Sequence, residues 1–162
     1  MEIDEMQMEM VRPSSKIAVG LTNPYFCLAL RLFLGGVLIY AGAAKLFDMP
    51  GMARAIANYR LLPDSLVNIV AMILPPVELL AGIGLILGLC FDGALAITTL
   101  LLLVFLAAIE SAILRGLDIQ CGCFGTSDAE LVGTGVLLRD AMLLLAVIPL
   151  WMDKNARFRV GK

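Results

Sequence analysis

The chain contains no histidine among its 162 residues. That absence removes Ser-His-Asp and Cys-His catalysis, the two-histidine iron triad, histidine-ligated haem and histidine-based zinc chemistry. Charge is scarce as well: 16% of residues carry one, against about 25% in an ordinary soluble domain. The net charge is −2 and no long basic run occurs, so no nucleic-acid partner is expected. Cys-x-x-Cys is missing, and the longest wholly uncharged run, Gly93–Ile109, has 17 residues. What remains is apolar. Hydrophobic residues make up 60% of the chain and the mean hydropathy is +0.94. A soluble domain of this composition would expose large apolar patches, which monomers rarely tolerate. Lipid accepts such side chains on the outside of a bundle, and the length suits one domain.

Four apolar blocks emerge, at Tyr25–Phe47, Leu66–Cys90, Gly93–Leu114 and Val132–Met152. Each matches the about 20 residues a helix needs to cross a ~30 Å hydrocarbon core. Only helices or closed barrels satisfy the backbone in lipid. Runs such as Leu100–Leu103 and Leu143–Leu145 lack the alternation of a barrel strand. The expected fold is therefore all-α, an integral membrane four-helix bundle with both termini on the same, cytoplasmic side. Residues 1–24 read as a cytoplasmic N-terminal tail, 25–152 as the four-transmembrane-helix domain and 153–162 as a basic cytoplasmic C-terminal tail. Met1–Asn23 is acidic and Met-rich and lacks the basic start of a secretory signal. Orientation follows from basic residues. Arg12, Lys16, Lys154, Arg157, Arg159 and Lys162 fall on the terminal side; Arg54, Arg60 and Arg115 fall on the other, with Lys45 at its border. The positive-inside rule then places the loop Arg115–Leu131 outside.

Between the first two blocks, Met49-Pro50-Gly51 reads as the end of the first helix. Met52–Arg60 reads as a short amphipathic helix, and Leu62-Pro63-Asp64-Ser65 as the turn and N-cap of the second span. Pro75-Pro76 predicts a kink there. Gly84-Leu-Ile-Leu-Gly88 offers a small-xxx-small face for close packing.

The sharpest chemical signal is Cys121-Gly122-Cys123 in the outer loop. The glycine permits positive φ, and a Cys-x-Cys disulfide falls within the usual Cα separation but under strain. Strained, exposed disulfides are the exchangeable ones. Arg115 is a nearby base of the kind that lowers a thiol pKa. Cys121 and Cys123 are thus the candidate redox pair, and the competing reading is an inert clip that closes the loop. Zinc would need about four ligands and would have to recruit Cys27 and Cys90, a membrane thickness (~30 Å) away, so no metal site is expected. Those two read as buried small hydrophobes.

Of 12 basic and 14 acidic residues, only Arg31, Lys45, Glu78, Glu110, Arg139 and Asp140 fall inside the four blocks. A charge near the bilayer centre costs at least ~2.5–3.5 kcal/mol on insertion scales, so each needs a protein or water neighbour. Arg31 and Lys45 are 14 residues apart, almost four helical turns, and share a face. Together with Tyr40, these six form a candidate binding pocket for a small polar molecule or a quinone head group, with a carboxylate moving protons. The competing reading is a set of interhelical ion pairs that fix the packing, with Tyr40 in the core.

Three segments resemble one family: Arg31-Leu-Phe-Leu-Gly-Gly-Val-Leu-Ile-Tyr40-Ala-Gly-Ala-Ala-Lys45, Pro76-Val-Glu78-Leu-Leu-Ala-Gly82, and Cys121-Gly-Cys123-Phe124-Gly125. This is the methylamine utilisation protein E (MauE) family, within the DoxX-like four-helix membrane proteins. The resemblance covers about Phe26 to Leu150. It implies a multi-pass protein of the bacterial inner (plasma) membrane, working beside periplasmic thioredoxin-like proteins in forming or handling disulfides. The name-giving members are needed to mature methylamine dehydrogenase, whose small subunit has many disulfides. Other DoxX-like proteins are linked to membrane oxidoreductase complexes, quinone-linked sulfur oxidation or rhodanese-like partners. A quinone is therefore the cofactor expectation, and the partners expected are the lipid bilayer, a soluble oxidoreductase and a further copy in a homo-oligomer. Two functions fit these residues. One is an accessory protein of thiol–disulfide or quinone-linked redox metabolism. The other is a non-enzymatic scaffold that recruits a thioredoxin-like or rhodanese-like protein, with the cysteine pair structural.

Overall fold

A computed structural model describes residues 24–119, 121 and 132–152. Of the expected N-terminal tail at 1–24 only Pro24 is described, as the first residue of a helix; residues 1–23, the expected tail at 153–162, Cys123 and most of its loop lie outside the described residues. The helices run α1 (Pro24–Phe47), α2 (Met49–Asn58), α3 (Asp64–Leu87), α4 (Phe91–Leu114) and α5 (Thr134–Met152). Four of them, α1, α3, α4 and α5, are long and apolar enough to cross a membrane. Their bounds follow the four apolar blocks to within a few residues, because the charge-free length that lipid demands is written directly in composition.

The spans form a ring of neighbours: α1 packs on α3, α3 on α4, α4 on α5, and α5 back on α1. At one end the core joins Cys27 and Leu34 of α1, Leu85 of α3, Phe91 and Leu95 of α4, and Val147 and Leu150 of α5. At the other, Ile109 of α4 meets Cys121 and Val136 of α5. The start of α1 and the end of α5 therefore share one end of an up-and-down bundle. Leu80, Leu100, Leu138 and Leu145 are exposed on its flanks, where lipid replaces water as their solvent.

Helices α1 and α3 meet backbone to backbone. A Cβ on Gly82 would sit 2.7 Å from the Gly35 carbonyl oxygen, and one on Gly42 2.9 Å from that of Pro75. Only glycine admits that approach. The Gly84–Gly88 face expected from the sequence is divided instead between two jobs. Gly84 faces Ala94 of α4, and Gly88 takes φ 72° to end α3. Pro75 and Pro76 lie inside α3 without terminating it.

The local boundaries correct one expectation and refine another. Met49-Pro50-Gly51 opens α2 rather than closing α1: Gly51 N donates to Asp48 Oδ1 at 2.9 Å, and Pro50 occupies the first turn, where its missing N–H is no loss. The N-cap of α3 is Pro63, which makes no side-chain capping bond. α4 ends on Gly116 at φ 61°. There Leu117 N donates to Ala112 O and Gly116 N to Ile113 O, both at 3.0 Å, the paired bonds of a Schellman motif. That turn delivers the chain into the cysteine loop.

Candidate functional site

The buried charges come first, because lipid makes them the costliest feature of the sequence. Lys45 Nζ of α1 donates to both carboxylate oxygens of Glu78 in α3, at 2.6 and 2.8 Å, and both side chains are at most 1% exposed. The glycine contact of α1 with α3 brings the two backbones close enough for this pairing. Lys45 Nζ also lies 4.9 Å above the ring of Phe105 in α4. Asp140 of α5 is buried, accepts from Arg139 Nε and Nη2 at 3.2 Å, and is an electrostatic neighbour of Lys45. The structure thus gathers Lys45, Glu78 and Asp140 from three spans.

Of the other members of the expected pocket, Arg31, Tyr40 and Glu110 are placed elsewhere. Arg31 is buried at the opposite end, where Nε donates to Leu85 O at 3.1 Å and the guanidinium lies 4.8 Å over the Phe91 ring. It closes the α3–α4 turn. Tyr40 is 58% exposed on the flank of α1, and Glu110 is exposed on α4. Arg139 is half-buried beside Asp140.

Cys121 is held at the α2 end of the bundle. It is buried against Ile109 and Val136. The Tyr59 hydroxyl, just past α2, donates to its carbonyl oxygen at 3.1 Å. Val132 N donates to Ile119 O at 2.8 Å, pinching the two ends of the loop together. Burial, and secondarily the negative charge of Asp140, push the Tyr59 phenol up to about 12. Arg115 sits at the root of this loop. Its guanidinium donates to the carbonyl oxygens of Tyr59, Arg60 and Ser111, tying the end of α4 to the end of α2. Cys121 is disulfide-bonded, whereas Cys27 and Cys90 form no disulfide. Cys27 is buried at the far end of the bundle, as the sequence suggested; Cys90 is exposed at the tight α3–α4 turn instead. The expected redox partner of Cys121, Cys123, lies outside the described residues.

The sequence did not single out a cavity of about 410 Å³ between α2, α3 and α4. Cys121 and Tyr59 stand in its wall with Met52, Leu74, Phe105 and Ile109. The only prior signal for Tyr59 was the spacing Met52, Ala55, Tyr59, a stripe that buries one face of a short helix.

The family model described as methylamine utilisation protein MauE matches residues 23–152. The chain is 35% identical over 124 residues to the methylamine utilization protein MauE of Paracoccus denitrificans, covering 76% of this chain and 67% of that protein. The protein of that name in Paracoccus versutus is 36% identical over 124 residues, with the same coverage. That of Methylorubrum extorquens is 31% identical over 134 residues, covering 82% of this chain and 72% of the relative. No solved structure matches the chain.

Proposed function

The chain belongs to the MauE family, and from that premise we propose that it is a membrane accessory protein of thiol–disulfide chemistry, serving the maturation of methylamine dehydrogenase. In this reading Cys121 and Cys123 cycle between dithiol and disulfide and exchange with a soluble thioredoxin-like oxidoreductase on the outer side of the membrane. The side is assigned from the excess of basic residues near the termini.

The observation that carries the reading is the setting of Cys121. Helix α2, the end of α4 and the start of α5 all converge on this one residue, through the Tyr59 hydroxyl and the Ile109–Val136 contact. A cysteine seated in this way holds its sulfur at a repeatable position, and thiol exchange depends on which sulfur is attacked.

The test is complementation of a strain lacking the gene with Cys121→Ser, Cys123→Ser and the double variant, each checked for normal membrane abundance. Loss of mature, disulfide-bonded methylamine dehydrogenase in all three is the expected result. Retained maturation by the double variant overturns the redox role and leaves a scaffold that recruits the soluble oxidoreductase.

A further inference from the structure

We propose that the cavity between α2, α3 and α4 binds a membrane quinone, entering from the bilayer with its ring against Cys121; the inference rests on the thiol-exchange reading for its purpose. Three observations lead there. The cavity reaches from exposed residues of the flank, Leu62 and Val104, to buried ones, Met52, Ile109 and Cys121. Its mouth is therefore apolar, bordered by exposed residues of the α2–α3 turn and of the membrane-spanning α4. Apart from Cys121 and the hydroxyls of Tyr59 and Ser111, every side chain around it is hydrocarbon or thioether. Such a lining rejects ions and polar metabolites, which would lose their hydration without replacement. Its about 410 Å³ lies in the ~300–1,000 Å³ range of small-molecule sites, enough for a substituted ring and the first part of a tail.

The third observation is the disulfide-bonded cysteine in the wall. A dithiol that must be reoxidised needs a two-electron acceptor, and a membrane-dissolved molecule of that class with a flat polar ring and an apolar tail is a quinone. The step balances. From the dithiol form both S–H bonds break and the S–S bond forms, while two electrons and two protons pass to the two quinone oxygens, giving the quinol. The dithiol of the soluble partner then returns the pair to its reduced form by exchange.

The experiment uses the full chain in quinone-free phospholipid nanodiscs and a short-tailed azidoquinone as photoprobe. Labelling is expected in peptides carrying Met52–Leu62 and Val104–Ser111. Untagged decylubiquinone is expected to suppress it and oleate is not, and Ala108→Phe, which fills the cavity, is expected to reduce it at least ten-fold. Label spread evenly over the flanks, or equal suppression by oleate, overturns the proposal and makes the cavity a plain lipid site. The two readings separate cleanly. Labelling in the cavity with no quinol formed by the dithiol form supports the site and sinks the redox role. Thiol exchange with a reduced thioredoxin but no labelling supports that role and sinks the site.

Discussion

Lys45 and Glu78 neutralise each other at 2.6 Å with almost no exposure. Removing one member strands the other inside the bundle, which costs about 3–5 kcal/mol for buried pairs, whereas replacing both by hydrocarbon is often neutral. Lys45→Met and Glu78→Gln should each lower the midpoint of denaturant-induced unfolding in detergent, and Lys45→Met with Glu78→Leu should recover most of the loss. No recovery in the double variant would mean that the pair is more than a lock between α1 and α3. Tyr59 gives a pH prediction. Below pH about 10 its phenol is protonated in both the folded and unfolded chain. Between there and about 12 the unfolded chain gives up the proton first, so stability falls as pH rises through that window. A spectrophotometric titration should show one tyrosine ionising near 12, and Tyr59→Phe should abolish that phase. The residue types at issue were readable in the sequence, since any charge in an apolar block stands out. Their pairing was not: Arg31, Tyr40 and Glu110 looked as eligible as Lys45 and Glu78, and only the neighbours of each helix separate them.

At the scale of elements, the α1–α3 seam depends on glycines that touch backbone. Gly82→Ala places a Cβ 2.7 Å from the Gly35 carbonyl oxygen; forcing such a contact typically costs about 1–3 kcal/mol. Gly36→Ala meets nothing within 4 Å and gains up to about 1 kcal/mol of helix propensity. The two unfolding midpoints should therefore move in opposite directions; equal behaviour would show that the helices part without penalty. Hydropathy alone placed the spans, because crossing lipid sets their length. It misplaced the finer joints. Pro50 was read as a stop although proline also suits a first turn, and the choice was made by Asp48, whose side chain caps the new helix. Of the glycines at 84 and 88 that matched a packing pattern, Gly84 does press on α4, while the backbone-to-backbone approach belongs to glycines at 35, 42 and 82.

At the scale of the whole molecule, four spans put the start of α1 and the end of α5 at one end and Cys121 at the other. Alkylation of intact cells with a membrane-impermeant thiol reagent should label Cys121 and Cys123 only after mild reduction. Labelling without reduction would argue for free thiols and against the disulfide. Labelling confined to broken membranes would overturn the orientation drawn from the basic residues. The sequence by itself determined that this chain crosses a membrane four times as helices. Length, apolarity and the need to satisfy every backbone group in lipid are local properties, legible residue by residue. The tertiary structure alone decided which charges neutralise each other, that Tyr59 anchors Cys121, and that a cavity opens beside that cysteine. Those contacts join positions 33 and 62 residues apart. They arise from which helix faces lie against each other, a property that hydropathy within any one segment does not encode.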